Sequence, residues 1–388
     1  MTISAAEAYE KLYEYCSERQ FSGHDPFDGL NSRVFQATPF KYSQLARLTW
    51  LQAVKRSHLD LRPLLRVRPG VNPKSLALFA LAEMARFRAA GCDRNAENAR
   101  ELLDRLLRMR ITCSPGTAAF GYNFDWQSRQ FWAPEGTPAI VPTAFASQAF
   151  FEAYQLFGDD TYLALIREIA CFVVNDLYRL SEGSDEVCFS YTPADRSRIY
   201  NASLLAGECL ARAGSELNNE LAAKAVRYVI RRQRNDGAWL YGEKDEQAWA
   251  DNFHTAYVLL SVHRITEVVP TISSESNEPF HRGLDYWIRN FFLSDGRPKY
   301  YDRHVDPIDI HSAAAAISTL VELRDVEKRA LPLAKAVTAW TIQHMRDSDG
   351  SFYYQKRGPR MIKTPFMRWG QAWMAYALAR LMEADRPS

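Results

Sequence analysis

The sequence predicts an all-α chain closed into a ring of six helical hairpins, an (α/α)6 toroid with an inner and an outer layer of helices. Three observations carry that expectation. An aromatic-rich helix running into an Asp-Gly turn recurs three times, with the pairs beginning at Asp236, Asp295 and Asp349, about 55–60 residues apart. Each glycine falls where a helix must stop in a left-handed conformation. Helices with one charged face then alternate along the chain with helices rich in Ala and Ser that have no polar face, which other helices must surround. No terminal pair resembles the polar cap of an open helical solenoid, so closure is expected.

The elements follow in order. Amphipathic outer helices are expected at Ser43–Ser57, Glu97–Met109, Asp160–Leu177, Glu216–Gln233, Phe280–Phe292 and Glu327–Met345. Inner helices are expected at Pro73–Phe87, Val141–Phe157, Tyr200–Ala213, Trp249–Ile265, Asp309–Leu323 and Pro365–Met382. In the fifth of these, the run Ala313–Ala316 lets neighbouring helices approach closely. Residues 1–388 form one domain on this reading, with residues 1–42 as an N-terminal helical or loop extension. The connections from outer to inner helices are long and rich in aromatics and charges. Alternating helix direction gathers them at one end of the ring, and long loops clustered on a rigid scaffold commonly carry function.

Composition narrows the classes. The chain has 388 residues, 47% of them hydrophobic, and 48 Lys+Arg stand against 46 Asp+Glu. A chain of this length buries about three quarters of its unfolded surface and needs no metal or disulfide staple. The charge balance offers no global basic field for nucleic acid. There is no apolar run of about 18 residues to cross a membrane and no export signal at the N-terminus, so a cytoplasmic location is expected. The six cysteines form no CxxC pair, and Cys171 and Cys209 read as small core hydrophobes. No metal site and no cofactor are expected, since the chain has no P-loop, no GxGxxG after a strand and no GxSxG.

Several blocks resemble bacterial polysaccharide-biosynthesis proteins of the VpsJ type. They are HDPFDGLNS (24–32), FDWQSRQF (124–131), CFSYTPADRSRIYNA (188–202), RRQRNDGAWLYGE (231–243), WADNFHTAY (249–257), PIDIHSAA (307–314) and TPFMRWGQAW (364–373). The resemblance runs over nearly the whole chain and implies a role in exopolysaccharide or O-antigen assembly. A broader resemblance is to the terpenoid cyclase and prenyltransferase toroids. Tyr228-Val229, Gln233, Gly237 and Trp239 match the spacing of the QW repeat, which is structural in that family, but the DxDD and DDxxD boxes are absent. Six-hairpin glycosidases, uronate epimerases and (α/α) lyases share the ring without those boxes.

The chemistry is expected at the loop-rich end, where six inner-helix N-termini converge and favour an anionic or hydroxyl-rich ligand. His254 and His311 stand at equivalent repeat positions, each preceded by an acid, and are the acid–base candidates. Asp125, Asp195, Asp251 and Asp309 are the candidate acids beside them, although Asp251 and Asp309 also suit helix capping. Substrate-binding candidates are Tyr122, Trp126, Tyr191, Trp239, Tyr241 and Tyr300, some for stacking and Tyr191 and Tyr300 also for removing a proton, with Asn201 at the mouth, Asn252 and Arg368 for neutralising a sugar carboxylate, and Arg198 and Arg368 for holding the anionic group. The basic run Lys356, Arg357, Arg360 and Lys363 suits either a solvated face or an anion clamp. These residue types fit a carbohydrate-active enzyme on an acidic sugar, of epimerase, lyase or glycosidase type. The expected partner is a saccharide, free or carried on a lipid or nucleotide, within a larger assembly machinery and without nucleic acid. A terpenoid or polyprenyl enzyme and a non-catalytic glycan-binding scaffold are the alternatives.

Overall fold

The computed structural model describes residues 3–128, 131–181, 183 and 185–386. Arg129 and Gln130, inside the FDWQSRQF block, lie outside the described residues. Six helices form the inner ring: α5 (Pro73–Ala90), α7 (Ile140–Phe157), α9 (Tyr200–Ala213), α11 (Asn252–Val268), α13 (Ile310–Glu322) and α15 (Ala372–Ala384). Each packs on the next, and α15 packs back on α5, so the ring is closed. Small buried side chains make the approach possible, with Ala313 to Ala316 of α13 essentially without solvent contact.

The outer ring consists of α6 (Asp93–Leu107), α8 (Asp160–Asn175), α10 (Glu216–Ile230), α12 (Ser273–Phe291), α14 (Ala330–Met345) and α1 (Ala5–Glu18). These helices bury one stripe each; in α6 it is Ala96, Ala99, Leu102, Leu103 and Leu106. The identity of the sixth member differs from the expectation. Residues 44–56 form a helix, α3 (Gln44–Arg56), but it packs on loop segments of the mouth and not on the ring. The outer position is taken by α1, inside the stretch expected to be an extension.

The three Asp-Gly turns show why α1 belongs there. Gly237, Gly296 and Gly350 have φ of 96°, 85° and 93°. A Cβ at each would meet the next outer helix: the Arg282 carbonyl oxygen at 2.6 Å, that of Ala336 at 2.6 Å, and that of Lys11 at 2.5 Å. The third turn therefore treats α1 as the next helix of the repeat. The same turns seat the QW pattern. Gln233 Nε2 donates to the carbonyls of Gly237 and Pro279 at 2.9 and 2.8 Å, and Trp239 Nε1 donates to the Val229 carbonyl at 3.0 Å. Trp239 is buried against Gly283, where a Cβ would come within 2.1 Å of its ring.

Every outer-to-inner connection opens at one end. The first, residues 19–72, also carries the single turns α2 (Arg33–Gln36) and α4 (Arg62–Leu65). Two small sheets brace the others: β1 (Trp126–Gln127) with β2 (Trp132–Ala133), and β3 (Ile308–Asp309) with β4 (Gln355–Arg357) and β5 (Arg360–Ile362), all antiparallel. At the far end, charged residues on the inner helices interlock. Arg264 donates to both oxygens of Glu322 at 2.5 and 2.7 Å and to Glu208 at 3.3 Å, and Arg380 reaches Glu322 at 3.4 Å. Between this network and the mouth, the axis narrows to a void of about 20 Å³ beside Phe145, Tyr257 and Trp373.

Candidate functional site

The mouth contains a cavity of about 760 Å³, within the range of small-molecule sites. Its walls come from α3, from the mouth loops and from the first turns of the inner helices. Of the expected residues, Tyr122, Trp126, Tyr191, Asn201, Tyr241, His254, Tyr300, His311 and Arg368 line it.

His254 sits in the first turn of α11 because Asp251 caps that helix. One Asp251 oxygen accepts from the His254 backbone N–H at 3.0 Å, and the other lies 2.7 Å from Nδ1. A carboxylate accepts, so Nδ1 carries a proton, and in the neutral ring Nε2, on the opposite ring edge, is the nitrogen with the lone pair. Tyr241 holds the imidazole at 4.5 Å between centroids, and Trp249 stacks on Tyr241 at 4.8 Å.

His311 is fixed in the same tautomer by a different acceptor. Its Nδ1 lies 3.0 Å from the Trp369 carbonyl, which can only accept, while Nε2 is 2.6 Å from the Tyr257 hydroxyl. Burial, with Lys74 nearby, pushes its pKa well below the usual histidine range, so the ring is neutral. Trp369 and Arg368 lie on a π-helical turn, Met367–Gln371, that leads into α15; such turns recur at functional sites. The two imidazoles flank Phe253, at 4.1 and 4.7 Å between centroids.

Two further wall residues are Tyr257, which the sequence reading did not single out, and Lys74, which it placed at the mouth without a role. Lys74 is buried in an aromatic cage, with Nζ 4.1 Å from the Phe145 centroid and 3.4 Å from the Tyr257 hydroxyl. Burial lowers its pKa well below that of a free lysine. Lys74, Tyr257 and His311 thus form one hydrogen-bonded chain. A lysine and a tyrosine within apolar helical patterns look like ordinary core residues, and only the position of Lys74 two residues into an inner helix pointed towards the mouth. Lys55 of α3 is a second wall cation, its pKa lowered by burial to about 8. Asn201 is buried on the wall, and its side-chain oxygen has no hydrogen-bond partner, which suits a ligand hydroxyl.

The remaining expected residues lie off the wall. Asp309 caps α13, accepting from the His311 N–H at 2.8 Å, Trp369 Nε1 at 2.9 Å and Gln355 Nε2 at 2.7 Å. Asp195 ties its own loop by accepting from Thr192 and Ser197. Asp125 accepts from the Glu135 N–H at 2.8 Å. Asn252 bridges the Lys299 carbonyl and Trp287 Nε1, both at 3.0 Å. Arg198 is on the outside, bonded to the Leu180 carbonyl, and Trp239 belongs to the turn packing described above. Arg368 reaches the cavity, but Asp25 holds it bidentately at 2.7 and 2.8 Å, which neutralises the intended anion clamp. Lys356, Arg357, Arg360 and Lys363 are also off the wall. Among the described residues, Glu246 is the one carboxylate that lines the cavity, and no group of three or more His, Cys, Asp or Glu is placed to hold a metal ion. Among the described residues, no helix is long and apolar enough to cross a membrane.

The fold is that of the (α/α)6 toroids. A sugar epimerase from a ruminal bacterium superposes with a TM-score of 0.63 at 14% identity, over 83% of this chain and 91% of that one. Cellobiose 2-epimerase from Bacillus thermoamylovorans gives 0.61 at 11%, over 82% and 90%. A GH76 α-mannanase from Bacteroides thetaiotaomicron gives 0.58 at 11%, over 80% and 85%. No protein-family model matches the chain, and no curated protein matches it by sequence.

Proposed function

We propose that this chain is a carbohydrate-active enzyme that transfers a proton at carbon on an acidic sugar, as an epimerase or lyase does, with His254 and His311 as the acid–base pair. The observation that carries the reading is the pair of wall imidazoles, each with Nδ1 committed to a fixed acceptor and Nε2 turned the other way. His254 Nε2 takes the proton from the carbon beside the sugar carboxylate, and the Asp251 carboxylate stabilises the imidazolium that forms. On the other side, the Tyr257 oxygen takes the proton from carbon as its own moves to the neutral His311 Nε2, and it gives a proton to carbon only when His311 is already imidazolium and returns one to the phenol oxygen. Lys74 and Lys55 are the wall cations available to the carboxylate and to the charge developing on it. Arg198 and Arg368 are not assigned that task.

Glycoside hydrolysis needs two carboxyl groups across the scissile bond, and the single wall carboxylate, Glu246, does not supply them. The saccharide chemistry of the structural neighbours and the resemblance to exopolysaccharide-assembly proteins support a saccharide substrate within such a pathway. The test is NMR in D2O with uronate-containing oligosaccharides. Solvent deuterium at C5, or a 4,5-unsaturated product, is expected, with His254→Ala and His311→Ala each slowing the reaction about 10²–10⁴-fold. Full turnover in both variants would sink the assignment. New reducing ends without exchange would turn the chemistry to hydrolysis, and binding without any change would leave a glycan-binding scaffold.

A further inference from the structure

The mouth insertion carries a surface unlike the rest of the molecule. Phe40, Tyr42, Leu45, Leu59 and Leu64 are between 62% and 79% exposed, whereas no large hydrophobic side chain elsewhere among the described residues exceeds the 57% of Leu217. Single exposed leucines are ordinary; five within 25 residues, bracketing one helix, are not. The charges around them are one-sided. Residues 33–68 contain eight Lys or Arg and a single acid, Asp60. Arg33, Arg56, Arg66 and Arg68 are exposed, and among the described residues no carboxylate pairs with them. Some exposed arginines beside the outer helices are paired, Arg231 with Asp185 and Arg329 with Asp285, whereas all four of the mouth arginines stand in the chain beside bulky exposed apolar side chains.

We infer that residues 39–68 dock the cavity mouth onto an anionic lipid bilayer, with the apolar side chains entering the interface and the arginines meeting lipid phosphates. Exposed bulky apolar groups interleaved with unpaired cations are the recognition chemistry of such a surface. The docked element and the cavity wall are continuous. Leu45, Thr49, Gln52 and Arg56 lie at i, i+4, i+7 and i+11 on one face of α3, and the last three line the cavity. Docking therefore sets the opening against the membrane, and, resting on the saccharide reading above, it specifies a sugar substrate anchored to lipid.

The test is sedimentation of the full chain with phosphatidylcholine vesicles, with and without phosphatidylglycerol. The wild type is expected to bind the anionic vesicles, more weakly as salt rises. Phe40→Ser/Tyr42→Ser/Leu45→Ser should abolish binding, and Arg66→Glu/Arg68→Glu should weaken it at least about fivefold per charge removed. Circular dichroism melts confirm that the variants fold. Absence of binding by the wild type, or undiminished binding by the triple-serine variant, overturns the inference. So does a dimer in light scattering that the serine substitutions dissolve, since the patch would then belong to a second copy. Deuterium exchange into a soluble saccharide is expected to be unchanged in these variants, so loss of docking and loss of chemistry are read separately.

Discussion

Asp309 and Asp251 occupy equivalent places in successive inner helices and do different work. Asp251 reaches the histidine ring, whereas Asp309 spends its oxygens on a backbone N–H, an indole and an amide. Burial raises the Asp309 pKa to about 6, against 3.8 for an ordinary aspartate. The folded protein therefore holds this proton more tightly than the unfolded chain. The associated stability is full below pH 3.8 and is lost as pH rises through about 6, an effect of about 3 kcal/mol. Urea denaturation across that window should show the wild type losing stability relative to Asp309→Asn; parallel curves would refute it. At this scale the two caps and both histidines were legible, because Asp two or three residues before His at a helix start has a local signature. The dependence of His311 on Tyr257 and Lys74 was not, since it joins residues from three inner helices that only ring closure brings together.

Among the elements, α1 and α3 exchanged roles. Both are amphipathic, and periodicity reports that a stripe is buried without saying against what. The stripe of α3, Leu51 and Val54, is covered by mouth segments, while that of α1, including Tyr9, Leu12 and Cys16, packs on the ring. The repeat could have been followed one step further, because the Asp-Gly turn at Asp349 requires a neighbouring outer helix and the amphipathic stretch of α1 was assigned to no hairpin. Deleting residues 1–18 removes the buried Ala8, Tyr9, Leu12, Tyr15 and Cys16; the three large ones alone are worth about 1.5–3 kcal/mol each, a large share of the stability of a typical domain. The truncated chain is expected to be insoluble or unfolded by circular dichroism. A soluble truncation melting at the wild-type temperature would make α1 an appendage.

For the whole molecule, the closed ring and its one busy end were readable from helix alternation and from unequal loop lengths. What closed it was not, because the seam joins the first and last thirds of the chain. We read residues 1–388 as a single domain and expect far-ultraviolet circular dichroism and tryptophan fluorescence to follow one coincident thermal transition; two separated transitions would divide it. The interlocked arginines and glutamates at the far end have a further consequence. With Arg264 clasping Glu322 and Glu208, and barely a water's volume between that clasp and the cavity, the ring is a cul-de-sac. For the chemistry proposed here, a polymer cannot be threaded through it; only a terminus or a protruding branch could descend, and a product formed at the bottom would have to back out before the next arrival. Entry and departure share one lane, so the departing molecule competes directly with the incoming one.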